Sequence, residues 1–191
     1  LFLAAMAGIT GSLENGLRAA SKVLAVSGRI MPSTLAHVTL YAELADDSVM
    51  KGESQVPHGE APIRRVFIEP ASPPAFPEAV NAILTADLVI LGPGSLYTSV
   101  LPNLLVPDIA AALAATRAPV VYVANVATQP GETDGYSLSE HLRALERHIP
   151  AGIIDRVLAN ANLAPPLPSG APVSRVLPEL ETGDGPPSRL V

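Results

Sequence analysis

The feature that most constrains this chain is a strand-like apolar run that stops abruptly at a glycine-rich bend. Residues 87–91, DLVIL, have the length and hydrophobicity of a strand, and residues 92–95, GPGS, allow no regular element to continue. Glycine has no Cβ, so the backbone of the bend can adopt a positive φ and approach a ligand closely. Ser95 and Thr98 add hydroxyl groups that can meet phosphate or ribose oxygens. The pattern predicts a phosphate or sugar cradle, and the alternative is a strand-to-helix turn whose glycines serve geometry alone.

Composition narrows the class of protein. The 191 residues correspond to one domain, or to one domain with an appendage, and 48% hydrophobic with 16% charged residues is typical of a compact chain. A net charge of −6 without any basic run argues against a nucleic-acid surface. The absence of cysteine excludes disulfides, thiolate nucleophiles and cysteine-based metal sites. It also fits a reducing compartment, so we predict a cytoplasmic protein.

The chain begins with nine apolar or small residues, LFLAAMAGI. This run is shorter than the ~20 residues that cross a bilayer, and no basic residue precedes it, so it predicts neither a membrane span nor a signal peptide. It predicts a short buried helix that resembles the middle of a buried element, with residues missing upstream. An apolar surface left exposed where those residues pack would favour association into a homo-oligomer.

Periodicity predicts helices and then a hairpin in the first part of the chain. Ser12 has the position of an N-cap before a helix with apolar residues at helical spacing, and Gly28 is its predicted stop. Two-residue alternation over residues 38–44, then an acidic turn and a second run at 49–56, predicts a β-hairpin. Residues 63–68 predict a further strand.

From residue 77 onward, predicted helices and strands alternate. Helices are predicted to begin at Pro77, Pro107 and Ser137, because proline suits the first helical turn and Ser137 has capping-box spacing to Glu140. Short, nearly all-apolar strands are predicted at 87–91, 120–124 and 153–159. The predicted fold class is therefore α/β, with a mostly parallel sheet, helices on both of its faces and a β-hairpin insertion.

The chain divides into two parts. Residues 1–162 carry all the predicted elements and form one α/β domain, in which residues 35–70 are the hairpin and strand insertion. Residues 163–191 are proline-dense without a convincing period, so we interpret them as an irregular C-terminal segment.

Polar and small residues follow each strand of the predicted parallel sheet. The carboxyl ends of parallel strands share one edge, and ligands of α/β sheets bind in the crevice outside that edge. We call the loops that follow the strands at 87–91, 120–124 and 153–159 the first, second and third exits. The second exit also contains Thr128 and Gln129, and the third contains Asn162. Loops are polar in any case, but three such exits favour a site for a nucleotide-linked sugar. The predicted ligand-binding residues are Gly92, Gly94, Ser95, Thr98, Asn125 and Asn160.

Several catalytic motifs are missing, and we assign no catalytic residue. The bend lacks the Lys-Ser/Thr ending of a P-loop, no G-x-G-x-x-G follows a strand, and no G-x-S-x-G elbow is present. Glu132 and Asp134 are candidate ligands for Mg²⁺ held against a diphosphate, and the alternative is a pair of solvated loop carboxylates. His141 and His148 lie seven residues apart on one helix, and we interpret them as solvated rather than metal-binding.

Five segments of the sequence carry a family resemblance. They are residues 27–44 (SGRIMPSTLAHVTLYAEL), 66–70 (VFIEP), 92–113 (GPGSLYTSVLPNLLVPDIAAAL), 118–137 (APVVYVANVATQPGETDGYS) and 140–149 (EHLRALERHI). Together they resemble the YvcK-like gluconeogenesis factors, the UPF0052 family, which is grouped with the CofD-like 2-phospho-L-lactate transferases of deazaflavin coenzyme biosynthesis. The resemblance runs from Leu1 to about Asn162.

The resemblance implies a Rossmann-like fold and a nucleotide-linked ligand. In the gluconeogenesis-factor branch this is a UDP-sugar such as UDP-N-acetylglucosamine, and the branch is associated with cell shape and cell-wall homeostasis during gluconeogenic growth. In the transferase branch it is a GDP-linked phospholactate with Mg²⁺. Members usually carry a GGGTG loop and an acidic DDGG motif, and neither occurs in this chain, so the N-terminal portion of the fold is expected to be missing.

Three functions are compatible with these observations. The resemblance favours a nucleotide-sugar-binding regulator. The alternative is a transferase of a phospholactyl-type group, which would need Glu132 or Asp134 as metal ligands. The third is a scaffold without ligand competence.

Overall fold

Two three-stranded sheets, one antiparallel and one parallel, contribute to a single hydrophobic core. The computed structural model describes residues 1–25, 27–164, 166–167, 170 and 172–178. The helices in this part are α1 (Phe2–Thr10), α2 (Leu13–Val23), α3 (Pro77–Leu84), α4 (Leu101–Leu104), α5 (Pro107–Ala115) and α6 (Leu138–Glu146). The strands are β1 (Thr39–Leu44), β2 (Val49–Lys51), β3 (Ile63–Glu69), β4 (Val89–Leu91), β5 (Val120–Val123) and β6 (Arg156–Leu158).

The first two helices pack against each other. Ser12 caps α2 as predicted, since its hydroxyl accepts the N–H of Asn15 at 3.1 Å. Two expectations are wrong here. No residue of α1 is buried, and Ile9 is 80% exposed, although the sequence predicts a buried helix. The second helix ends at Val23, well before Gly28, because Ala25 adopts a positive φ of 50°.

The predicted hairpin is confirmed, and β3 joins it. The strand order is β2-β1-β3, and both pairings are antiparallel. The tight turn of the hairpin contains Asp47 at a φ of 67°. The second strand is shorter than the predicted run of 49–56, because the chain turns at Gly52, at a φ of 95°, and forms a 3₁₀ turn at Val56–His58.

The predicted α/β class with a parallel sheet is confirmed. The strand order is β4-β5-β6, and both pairings are parallel. Proline lies in the first turn of α3 and α5, and Ser137 and Glu140 form the capping box of α6.

One face of the parallel sheet is covered and the other is largely open. Leu91, Tyr122 and Val157 point into the core and are at most 8% exposed. On the opposite face, Ile90 is 56% exposed and Leu158 is 46% exposed. Cover by helices on both faces, as predicted, is therefore found on one face only of the part that the structure describes. The helical spacing of α3 also predicts that Leu84 faces inward with Val80 and Ile83, and this is wrong, since Leu84 is 46% exposed.

His141 in α6 is buried, and His148, two residues after α6 ends, is half-buried and hydrogen-bonded, so their interpretation as solvated residues on one helix is wrong. His141 is fully buried, and the imidazole of His148 accepts the backbone N–H of Val66 on β3 at 2.9 Å. Burial lowers the pKa of both imidazoles because it disfavours their charged form. The reason is that α6 presents a wide apolar face, with Leu142 and Leu145 buried, that His141 lies on that face, and that the chain after α6 brings His148 against β3.

The chain returns to the core near its end. Residues 174–177 run beside the loop that follows β5, with Thr128 N–H donating to the carbonyl of Ser174 at 2.8 Å and Val176 N–H to that of Val126 at 3.2 Å. Val176 is buried in the core. Of the predicted irregular segment 163–191, residues 165, 168–169, 171 and 179–191 lie outside the described residues.

In the part of the chain that the structure describes, no single helix is long and apolar enough to cross a membrane. The pair Leu96–Leu104 and Pro107–Ala115 reaches that length and composition only across a bend of 76°.

Candidate functional site

The three bends that follow the parallel strands lie side by side on one rim. Leu91 is the register partner of Tyr122, and Val123 is the partner of Leu158, so the three strands end at the same level. The common edge predicted for the candidate residues is therefore present.

The glycine-rich bend is built on Gly92. This residue has a φ of 85°, and a Cβ placed on it would lie 3.0 Å from the carbonyl oxygen of Val123 on the neighbouring strand. Both observations require glycine. The peptide between Gly92 and Pro93 is cis. A Cβ on Gly94 would make only ordinary contact, 3.5 Å from Ser99 Cβ, so Gly94 is not required by packing.

A π-helical turn, Leu96–Val100, follows the bend and leads into α4. The carbonyl of Ser95 accepts the N–H groups of both Ser99 and Val100 at 2.9 Å. Within the described residues, the backbone N–H groups of Gly94 and Ser95 have no hydrogen-bond partner. Adjacent unpaired amides at a rim leave two backbone donors available to an anion. The sequence gives no periodic signal for such a turn, and we did not predict it.

Glu132 ties the second exit to the first. Its carboxylate accepts the backbone N–H of Tyr97 at 3.2 Å and the hydroxyl of Thr98 at 2.8 Å, and the residue is 6% exposed. A buried carboxylate that accepts two hydrogen bonds holds its donors firmly in place. Glu132 therefore fixes the start of the π-helical turn.

Gln129 makes a second tie between the same two exits. Its side-chain NH₂ donates to the hydroxyl of Ser95 at 2.7 Å, and its Oε1 is 3.5 Å from Nδ2 of Asn125. The backbone N–H of Gln129 in turn donates to the hydroxyl of the buried Thr133 at 2.9 Å. The sequence places Gln129 in the second exit. Its hydrogen bond to Ser95, 34 residues earlier in the chain, was not predicted.

Asn160 lies at the third exit and uses its side chain locally. Its Nδ2 donates to the carbonyl of Asn162 at 3.1 Å, and its Oδ1 accepts the N–H of Asn162 at 3.0 Å. This is an Asx-type turn that closes its own loop. The structure thus connects Ser95, Thr98 and Asn125 through Gln129 and Glu132, whereas Asn160 stands beside them on the rim.

The loop of the second exit contacts the 3₁₀ turn Val56–His58 between β2 and β3. Gly131 has a φ of 77°, and a Cβ there would lie 1.9 Å from the carbonyl oxygen of Pro57. The carboxylate of Asp134 accepts the N–H of Gly131 at 2.6 Å. Backbone contact this close leaves no room for any side chain at position 131.

The two predicted metal ligands already serve as internal acceptors. Both oxygens of Glu132 and one oxygen of the exposed Asp134 are hydrogen-bonded. The described residues include no group of three or more His, Asp or Glu side chains arranged to hold a metal ion. Mg²⁺ at Glu132 and Asp134 stays a prediction, and the ion would need most of its oxygen ligands from water or a ligand.

An aromatic cluster backs the bend from the core side. The hydroxyls of Tyr97 and Tyr136 are 3.0 Å apart. The rings of Tyr97 and His148 contact each other edge to face, with their centroids 6.2 Å apart. The rings of Tyr136 and His141 also contact edge to face, with their centroids 5.5 Å apart. Burial raises the pKa of Tyr97, with the Tyr136 hydrogen bond acting in the same direction. The cluster therefore joins the π-helical turn to α6 and to the residues that flank it.

Comparison with known proteins gives consistent matches. The family model described as 2-phospho-L-lactate transferase CofD matches residues 1–168. A putative gluconeogenesis factor of Nostoc sp. is 55% identical over 146 residues, 76% of this chain and 32% of the relative. The gluconeogenesis factor of Bacillus subtilis is 46% identical over 165 residues, 86% of this chain and 52% of the relative.

A solved structure confirms the fold. The crystal structure of a UPF0052 family protein from Bacillus halodurans superposes with a TM-score of 0.84 at 40% sequence identity. The match covers 92% of this chain and 58% of that one. The chain therefore spans between about a third and somewhat over half of the proteins it matches.

Proposed function

Because the chain belongs to the CofD family and its curated relatives are gluconeogenesis factors, we propose that it contributes the phosphate-binding rim of a nucleotide-sugar-binding regulator. The ligand is a UDP-sugar, with UDP-N-acetylglucosamine the first candidate. The regulator acts in the cytoplasm, on cell shape and cell-wall homeostasis during gluconeogenic growth.

The observation that carries the proposal is that two adjacent backbone N–H groups on the rim have no partner among the described residues, while hydrogen bonds from the second exit hold their neighbours in place. Gly94 and Ser95 present N–H groups without partners among the described residues, while Gln129 holds the side chain of Ser95 and Glu132 holds the backbone of Tyr97 two residues later. Preorganised amides bind an anion without reordering the chain. A diphosphate supplies the anion, and the polar exits supply partners for sugar hydroxyls.

The family description favours a second candidate, a transferase that uses a GDP-linked phospholactate with Mg²⁺. In that case the bend binds the same diphosphate, and Glu132 or Asp134 shares the metal ion with it. The two candidates differ in nucleobase and in dependence on Mg²⁺.

Thermal-shift and calorimetric titrations distinguish them. We expect UDP-N-acetylglucosamine to raise the unfolding midpoint of the chain without Mg²⁺, because a ligand that prefers the native state stabilises it by mass action. The double variant Ser95→Ala with Gln129→Ala should lose at least tenfold in affinity, while Ser54→Ala, an exposed serine near β2, should bind as the parent chain does. A response to GDP only in the presence of Mg²⁺ would favour the transferase. No response to either nucleotide, alone or with Mg²⁺, would refute both.

A further inference from the structure

A basic cavity of about 250 Å³ lies beside α6. Its walls are formed by Tyr136, Glu140, Arg143 and Arg147. The two arginines are four residues apart, so they lie on the same side of the helix, one turn from each other. The carboxylate of Glu140 is already engaged in the capping box, where its Oε2 accepts the backbone N–H of Ser137 at 2.6 Å. The cavity therefore has a net positive charge, in a chain whose own net charge is −6.

Arg147 has no acidic partner in the part of the chain that the structure describes, since no carboxylate there forms an ion pair with it. The nearby Arg65 of β3 is already paired with Glu43 at 2.6 Å. Burial raises the pKa of Tyr97, and Arg147 opposes this effect, so its guanidinium lies close to the π-helical turn. A guanidinium in this position suits a carboxylate, because hydrogen bonds between the two groups are charge-assisted and can be bidentate.

The chain returns to the same helix just before an acidic segment. The carbonyl of Leu177 accepts the N–H of Leu138, the first residue of α6, at 3.1 Å. Residues 179–184, ELETGD, come next after Pro178 and lie outside the described residues. We call them the acidic segment, because their sequence contains three carboxylates and no basic residue.

The acidic segment is long enough to reach both arginines. Measured from the first residue of α6, Arg143 lies ~7.5 Å and Arg147 ~13.5 Å along the helix, at a rise of about 1.5 Å per residue. An extended chain advances ~3.3 Å per residue, so from the carbonyl bonded to that first residue Glu179 reaches ~7 Å and Glu181 ~13 Å. Two carboxylates can therefore be level with two guanidinium groups.

We propose that the acidic segment binds in this cavity, with Glu179 and Glu181 paired to Arg143 and Arg147. The occupant is a segment of this same chain, recognised by charge-assisted hydrogen bonds between carboxylates and guanidinium groups. Single ion pairs at a surface are weak, but attachment to the chain gives the segment a high local concentration at the cavity. Binding there fastens the returning residues 174–177 to α6.

Zero-length carbodiimide cross-linking of the full chain tests the proposal. A carbodiimide joins a carboxylate to an amine in contact with it, with loss of water, and the chain has only two lysines, Lys22 in α2 and Lys51 in β2. Arg147→Lys keeps the positive charge and adds one amine at the cavity. We expect this amine to be linked to Glu179 or Glu181 at least about fivefold more often than either native lysine, since a tethered partner has a high local concentration.

Salt dependence and peptide mass spectrometry separate the outcomes. The yield of the expected link should fall at about 1 M salt, where the Debye length is only about 3 Å and attraction over longer distances is screened. Links from position 147 to Glu140 or Glu146 alone would overturn the proposal. Links that form only between two chains would also overturn it, because the occupant would then be a second copy.

NMR of the arginine Nε–Hε groups gives a second test that leaves the arginines unchanged. The double variant Glu179→Gln with Glu181→Gln removes two charges of the acidic segment and keeps its length, so it should shift the Nε–Hε resonance of Arg147. Arg18, whose ion pair lies within α2, is the internal reference and should stay in place. Ser188→Ala, outside the acidic segment, is the control variant. No shift at Arg147, or an equal shift in the control variant, would overturn the proposal.

Discussion

Val66 on β3 donates its backbone N–H to Nε2 of His148, 82 residues further along the chain, at 2.9 Å. Nε2 must therefore be unprotonated, and Nδ1 carries the hydrogen that it donates to the carbonyl of Ala144 at 2.6 Å. The neutral imidazole thus joins the antiparallel sheet to the end of α6. Burial lowers the pKa of His148, and the nearby Arg147 and Arg65 act in the same direction.

This contact predicts a loss of stability in acid. The unfolded chain binds the proton of His148 more readily than the folded chain does, so stability is complete above about pH 6.5 and falls as the pH drops through the folded-state pKa. His148→Gln removes this titration, so the free energy of unfolding should depend less on pH between 7.5 and 5.5. Urea unfolding at several pH values measures it. The exposed His58→Gln is the control, and equal slopes in parent and His148→Gln would contradict the prediction.

The same bond predicts a cost at neutral pH. In His148→Ala the N–H of the buried Val66 loses its acceptor, which should lower the free energy of unfolding by about 1–3 kcal/mol. Urea unfolding at pH 7.5 measures the difference, and a value within about 0.5 kcal/mol of the parent would show that water replaces the imidazole.

The two glycines of the bend should respond differently to alanine. Gly92→Ala puts a Cβ on a residue with φ of 85° and within 3.0 Å of Val123 O, so we expect destabilisation of about 1–2 kcal/mol or more from the backbone conformation alone. Gly94→Ala meets only van der Waals contacts and should stay within about 0.5 kcal/mol. Chemical denaturation of both variants compares them directly. Equal costs would mean that the bend is not held against β5.

The two carboxylates of the second exit should also differ. Glu132→Ala leaves the N–H of the buried Tyr97 without its charged acceptor and should cost about 1.5–3 kcal/mol. Asp134→Ala removes one bond at an exposed site, and its effect should be about 1 kcal/mol or less. Unfolding free energies are measured in excess chelator, which removes divalent cations, so the difference between variants then reflects the lost hydrogen bonds and not a bound metal ion. Magnesium titration of the same variants then tests the predicted metal role, and a greater loss for Asp134→Ala in chelator would contradict this account.

Two buried tyrosines provide a further contrast. Tyr122 lies in the core with no partner for its hydroxyl among the described residues, whereas the Tyr97 hydroxyl is bonded to Tyr136. Tyr122→Phe should therefore be neutral or stabilising, while Tyr97→Phe should cost about 1 kcal/mol. Thermal and urea unfolding measure both, and a clear loss in Tyr122→Phe would indicate a hydrogen-bond partner for that hydroxyl.

Prediction from sequence succeeded where the signal was local. The capping box of Ser137 and Glu140, the N-cap at Ser12 and the prolines that begin α3 and α5 act within one helical turn, so their residue types alone specify them. The alternation of β1 likewise predicted its buried face. Failures occurred where the surroundings decide burial, as for α1, Leu84, His141 in α6 and His148 just after it.

The sequence by itself determined the elements, their order, the parallel sheet and the side on which its polar exits lie, because periodicity, capping and the handedness of crossovers are properties of short segments. Only the tertiary structure decided which exits touch. The ties of Gln129 to Ser95 and of Glu132 to Thr98 each join residues 34 apart, and the bond from Val66 to His148 spans 82. Contacts of that separation arise from the packing of whole layers, which no local pattern encodes.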